Sequence, residues 1–209
     1  MLYLINFKTY REGTGRNALK LARIMSGFRK RIIAAVQPAD IRMVSKVFQN
    51  VYAQHIDPIE YGSHTGWILP ESIKDAGARG TLISHSERTL NISEIKRCIK
   101  RAREVGLKTV VCAPTPARCR RVAKFNPDYI AIEPPELIGT GRSVSKEKPE
   151  VISRARRLVP ERIPLLCGAG ISMREDVVIA KELGCAGVLV SSAVVKSKDR
   201  RKALQKLFI

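Results

Sequence analysis

Short apolar runs alternate with longer amphipathic stretches along the chain, and the alternation repeats from end to end. A Gly or Pro turn leads into four to six apolar, often β-branched residues, and each run ends in small or polar side chains. Eight such runs occupy residues 2–5, 31–36, 51–54, 80–83, 108–112, 128–132, 163–167 and 187–190. Runs of this length, bounded by turn residues, predict buried β-strands. Between most of them lies a stretch with helical periodicity. Residues 18–28 and 91–105 are the clearest, with apolar positions three and four apart. Asn91-Ile92-Ser93-Glu94 offers a helix start and Gly106 a stop.

Strands that alternate with helices predict parallel pairing. Eight repeats suit a closed barrel or an open doubly wound sheet, and the chain lacks a GxGxxG after its first strand, which argues against a dinucleotide-binding sheet. The predicted fold is therefore α/β, a (β/α)8 barrel formed as one domain over residues 1–209, with no boundary and no low-complexity segment. Such barrels need at least about 200 residues. The helices between strands two and three, and from strands four and five onward, are accordingly expected to be short. Residues 55–69 form one long connection without periodicity, rich in Gly, Pro and His. A loop of that kind inside a compact domain is usually functional.

Charge adds one unusual property. The chain carries 38 Lys and Arg against 19 Asp and Glu, a net charge of +19 that raises the question of nucleic acid. The cations are not gathered in one tail; sets such as Arg97-Lys100-Arg101-Arg103 and Arg154-Arg156-Arg157 have the spacing of solvated helix faces. Aromatic residues, at 5%, are too few for an evident base-stacking platform, so the pattern disfavours nucleic acid as a partner. The same charge would attract a small anionic substrate. No stretch approaches the roughly 18 apolar residues of a membrane span. The opening residues Met1–Lys8 lack a basic region followed by a long apolar run, and a cytoplasmic location is expected. Five cysteines without a CxxC pair and three unclustered histidines predict buried reduced thiols and no metal site.

In a barrel the chemistry collects at the carboxyl ends of the strands. The polar residues directly after the apolar runs are Asn6 and Lys8, His85, Glu133, Gly168-Ala169-Gly170 and Ser191-Ser192. They comprise one carboxylate, one imidazole, one cation and two backbone-rich turns. Proton abstraction beside a carbonyl on a phosphorylated substrate requires that set. The two turns follow strands seven and eight, where barrel enzymes frequently bind phosphate.

At these residues the chain resembles the triosephosphate isomerase family. The resemblance is carried by Asn6-Phe7-Lys8, by His85-Ser86-Glu87-Arg88 and by the segment from Glu133-Pro134-Pro135-Glu136 to Gly141. The Pro-Pro-Glu-Leu form, the Cys167-to-Ser172 turn and the short length are similar to the archaeal branch. The resemblance implies reversible isomerisation of glyceraldehyde 3-phosphate and dihydroxyacetone phosphate through an enediolate, a step of glycolysis and gluconeogenesis, with no cofactor. It implies Glu133 as the base and His85 as a neutral electrophile, held neutral by a helix that Ser86-Glu87-Arg88 would begin. Lys8 would stabilise the enediolate and help hold the phosphate, with Asn6 positioning it and binding substrate and Glu87 orienting its ammonium. Phosphate would meet main-chain N–H groups of Ile138, Gly139, Gly170, Ser191 and Ser192. Residues 134–141 would form a lid, stiffened by two prolines and hinged at Gly139-Thr140-Gly141. Residues 61–66 resemble the loop that enters a neighbouring subunit, with Thr65 near the partner's site, implying a homodimer or a homotetramer. His55 and His64 are expected to be structural.

The chain departs from that pattern at Ala193, where glycine is usual, at Ser84 and Thr89, and in the shortened segment 27–50. Two rivals stand against this reading. Another sugar-phosphate barrel would require a Schiff-base lysine at a strand end or a second substrate pocket, and the sequence offers neither. A non-catalytic barrel would use the basic surface to bind RNA or membrane lipid.

Overall fold

The computed structural model describes all 209 residues. Strands Leu2–Asn6 (β1), Arg31–Val36 (β2), Val51–Ala53 (β3), Gly80–Ile83 (β4), Lys108–Ala113 (β5), Tyr129–Ile132 (β6), Leu165–Cys167 (β7) and Gly187–Val190 (β8) pair in parallel in chain order. β8 returns to β1, with Leu2 opposite Gly187 on one side and Arg31 on the other, and closes the barrel. The expected fold and all eight expected strands are therefore present. The observed ends differ by one or two residues; Ile163, for example, turns back to the Pro160 carbonyl before β7 starts.

The two-residue period of each strand sorts its side chains between two cores. Leu2, Leu4, Ile33, Ala35, Tyr52, Leu82, Val110, Cys112, Ala131, Leu166 and Leu189 point inward and fill the barrel axis. The intervening residues, Tyr3, Ile5, Ile32 and Ala34 among them, face outward into a 50-residue core beneath the helices. Gly80 makes room for the inward Tyr52, because a Cβ there would lie 2.4 Å from its ring.

Helices Arg16–Ser26 (α1), Pro38–Ser45 (α2), Pro70–Asp75 (α3), Ile92–Glu104 (α4) and Pro116–Ala123 (α5) follow the first five strands in turn. Val144–Glu147 (α6) and Pro149–Leu158 (α7) precede β7, Arg174–Glu182 (α8) precedes β8, and Ser192–Val195 (α9) and Arg200–Leu207 (α10) end the chain. α4 begins where its signal lies: Asn91 Oδ1 accepts from the Glu94 N–H at 2.9 Å, and the Asn91 N–H donates to Glu94 Oε2 at 2.8 Å. Gly106, at φ +72°, follows its end. One expectation fails here. The helix between β4 and β5 is not short but, at 13 residues, the longest; the economy falls on α2, α3 and α5, which have 8, 6 and 8. A capping box and four buried apolar positions let α4 keep its length.

All five cysteines are free and buried, and burial pushes the Cys98 and Cys119 thiols up to about 12. No helix is long and apolar enough to cross a membrane. Residues 55–69 contain no regular element. Their neck is closed by the Asp57 N–H to the Ile68 carbonyl at 2.9 Å and by the Ile68 N–H to Asp57 Oδ2 at 2.7 Å. The other Asp57 oxygen meets His55 Nε2 at 3.0 Å and Arg88 Nη2 at 3.2 Å. Burial alone would raise the Asp57 carboxyl, but the Ile68 and His55 hydrogen bonds and the Arg88 charge outweigh it and leave it lowered. His55 is thus held in the neck of the loop by Asp57. His64 lies beside Trp67, with ring centroids 5.9 Å apart.

Candidate active site

The parity that fills the barrel axis also decides what crowns it. Continuing each inward series by one or two steps brings Asn6, Lys8, Gln54, Glu133, Gly168 and Ser191 to the mouth. Lys8 sits at φ +49°, a conformation that costs a non-glycine residue roughly 1–3 kcal/mol and so must be held by its surroundings. Its N–H donates to Asn6 Oδ1 at 3.0 Å. Its carbonyl accepts from Gln54 Nε2 at 2.9 Å, and the same amide nitrogen lies 3.3 Å from Asn6 Oδ1 and 3.2 Å from the Ala35 carbonyl. Ser191 Oγ donates to the Asn6 carbonyl at 2.8 Å. The Lys8 ammonium pairs with Glu87 Oε1 at 2.7 Å.

His85 follows Ser84, which adopts φ +60° and accepts from the Leu90 N–H at 3.1 Å. The helix expected directly after His85 is absent. Residues 85–88 make one turn, closed by the Arg88 N–H to the His85 carbonyl, and the next helix starts at Ile92. What orients the imidazole is the Glu87 N–H, which donates to His85 Nδ1 at 3.2 Å. Nδ1 is therefore an acceptor, which assigns the proton of the neutral ring to Nε2. Nε2 lies 4.0 Å from Glu133 Oε2.

Glu133 directly follows β6 and is buried, with its N–H donating to the Ala113 carbonyl at 3.0 Å. Its carboxylate fits because residue 168 is glycine; a Cβ there would lie 2.6 Å from Oε1. Oε2 is buried without a hydrogen-bond partner. Leaving such an acceptor unpaired costs roughly 1–3 kcal/mol or more, so its persistence points to a use. Beside it, burial holds the Cys112 thiol far up, and the Glu133 charge adds to that; Cys112 stays neutral. A second cavity of about 480 Å³, lined in part by Ser84, Ser86, Thr115 and Arg118, leaves the carboxylate room on its other side.

Lys8, His85 and Glu133 share one cavity of about 290 Å³ with Ile138, Gly139, Gly170, Ser191 and Ser192. Two expected site residues lie outside its wall. Asn6 is buried beneath Lys8, where its Oδ1 accepts from the Lys8 N–H and so supports the lysine backbone. Glu87 stands behind the ammonium with its side chain largely exposed. Gln54 escaped the sequence reading because it counted as the last residue of an apolar run. Its inward parity with Tyr52 was the available signal.

Backbone turns make up the rest of the cavity wall. Ala169 and Gly170 adopt φ +81° and +71°, and a Cβ on Gly170 would fall 1.9 Å from the Arg142 carbonyl. Ala193, where glycine is usual, lies in α9 and lines the cavity without adopting a positive φ. Residues 134–141 arch over this wall. Pro135–Leu137 forms a 3-10 turn whose Leu137 is buried, and Gly139 and Gly141 adopt φ +78° and +76° with open space around them. Glu136 pairs with Lys148, and Arg142 with Glu147.

Known proteins bear on the chain along its whole length. A family model described as Triosephosphate isomerase matches residues 1–207. The chain is 47% identical to the triosephosphate isomerase of Methanocaldococcus jannaschii, over 99% of this chain and 98% of that protein. It is 44% identical to that of Archaeoglobus fulgidus, over 98% and 95%. Among solved structures, triosephosphate isomerase from Bartonella henselae superposes with a TM-score of 0.76 at 21% identity, covering 98% of this chain and 97% of that one, a likeness of fold.

Proposed function

This chain belongs to the triosephosphate isomerase family, and from that premise we propose how its own residues perform the aldose–ketose isomerisation of triose phosphates. Glu133 removes a proton from the carbon next to the substrate carbonyl and returns it to the neighbouring carbon. The observation that carries this is the unpartnered Oε2 of Glu133, buried 4.0 Å from His85 Nε2 in the cavity that holds the Lys8 ammonium. A carboxylate in water is a weak base, and it gains strength where water is excluded. His85, carrying its proton on Nε2, donates to the substrate oxygen that gains charge as the enediolate forms. Lys8 supplies the positive charge that balances enediolate and phosphate together.

The phosphate rests against main-chain N–H groups of Gly170, Ser191, Ser192, Ile138 and Gly139. Residues 134–141 act as the lid, pivoting at the unobstructed Gly139 and Gly141 and shielding the enediolate from water and from loss of its phosphate. Residues 55–69 form the contact with a second copy. Two of the largest exposed apolar side chains, Tyr61 and Trp67, lie on this one loop, whose neck is firmly closed. The assembly is a homodimer or a homotetramer, and the enzyme serves glycolysis and gluconeogenesis in the cytoplasm, with no cofactor.

A coupled assay on glyceraldehyde 3-phosphate tests the reaction. Run in deuterium oxide, it should yield product with deuterium on carbon, because the abstracted proton can exchange while it rests on Glu133. Absence of isomerase turnover by the purified protein would refute the reading.

Gln54→Leu should lower kcat/KM by about tenfold, equivalent to about 1.4 kcal/mol, by freeing the strained Lys8 backbone, while the melting temperature changes little. Unaltered kcat/KM would deny Gln54 a positioning role.

A further inference from the structure

α5 contains no acidic residue: it reads Pro-Ala-Arg-Cys-Arg-Arg-Val-Ala and is followed by Lys124. Cys119, Val122 and Ala123 turn into the core, which leaves Arg120, Arg121 and Lys124 exposed. α7 packs alongside and contributes Arg154. A shallow groove of about 380 Å³ runs between them, lined by these four cations with Ala117 and Leu158. None of the four is within ion-pair distance of a carboxylate. By contrast, the cleft beside α1 and α10, also rich in Lys and Arg, includes Glu12 and Asp199 in its wall. Like charges gathered without counter-charge repel one another, and a bound polyanion removes that repulsion.

We propose that the α5–α7 groove binds the phosphate backbone of a nucleic-acid duplex. The groove is open and shallow, so it suits an extended chain of phosphates better than an enclosed small anion. Its wall holds no aromatic side chain, which removes the stacking platform a single strand would use. The large exposed apolar residues, Tyr61, Trp67, Met173 and Val178, all lie on other elements, so the face has no anchor to insert into a lipid surface. A second copy of this chain would bring twice as many cations as carboxylates to the contact, 38 against 19. Backbone contacts by Lys and Arg need none of these features; they read charge and spacing and carry no sequence information. No groove residue lines the catalytic cavity, so duplex binding and turnover are independent.

The test is fluorescence anisotropy of labelled duplex RNA and duplex DNA across a salt series. The variant Arg120→Glu/Arg121→Glu/Lys124→Glu/Arg154→Glu is compared with Arg16→Glu/Lys20→Glu/Lys198→Glu/Arg200→Glu, which carries the same net charge on another face. The groove variant should bind both duplexes at least tenfold more weakly than the second variant, with wild-type isomerase activity reporting an intact fold. The slope of log affinity against log salt should fall by about 3 to 4, near 0.9 for each of four phosphate contacts. The matching Arg/Lys→Gln variant gives the same reading with less charge change. Equal weakening by the two Glu variants would overturn the proposal, because bulk charge would then explain the binding. Tighter binding to phosphatidylglycerol vesicles than to duplex at the same salt would overturn it as well.

Discussion

Glu133→Gln is expected to lower kcat by about a thousandfold or more, the upper part of the range for a positioned general base, with the fold intact. The substitution is nearly isosteric, and Gly168 already leaves space for a side chain of that shape. The amide keeps a polar atom where Oε2 now has no partner, so the melting temperature should hold or rise. What disappears is the negative charge that makes the oxygen basic enough to accept the substrate proton. KM should change much less than kcat, because the main-chain N–H groups and the lysine proposed to hold the phosphate are left unaltered. A variant that retains even a tenth of wild-type turnover would remove Glu133 from the reaction.

Lys8→Met should reduce kcat/KM by about a hundredfold to a thousandfold, the range for losing one preorganised charge at a transition state. Here KM should also rise, which separates this variant from Glu133→Gln. The methionine keeps the packing of the lysine stem but leaves the Glu87 carboxylate uncompensated behind an anion site. The Lys8–Glu87 pair has one largely exposed member, so its loss should cost little stability. Glu87→Gln supplies the contrast: the ammonium stays in the cavity but loses its tether, and the loss should be far smaller. A wild-type KM in Lys8→Met would dismiss the phosphate role of the lysine.

The legible part of this molecule is what depends on period and punctuation. Strand alternation, turn residues and the Asn91–Glu94 box are local signals, and each led to the element it predicted. Lys8, His85 and Glu133 were legible because a polar residue directly after an apolar run is conspicuous. What escaped depends on partners distant in the chain. Gln54 acts through the carbonyls of Lys8 and Ala35, which have no sequence signature. The bond from the Lys8 N–H to Asn6 Oδ1, which supports a strained backbone, likewise has no sequence signature. The turn after His85 resembled a helix start because Ser and Glu favour one, yet the chain closes a single turn and runs on to Asn91.

The filled axis of the barrel has a kinetic consequence. With Leu2, Leu4, Leu82, Leu166 and their neighbours plugging the floor, no drain leads out through the far end. Ketose and aldose must share one doorway, and a molecule waiting to leave keeps the next from entering. Were residues 134–141 the lid proposed above, their pace would set a common ceiling on both directions of traffic.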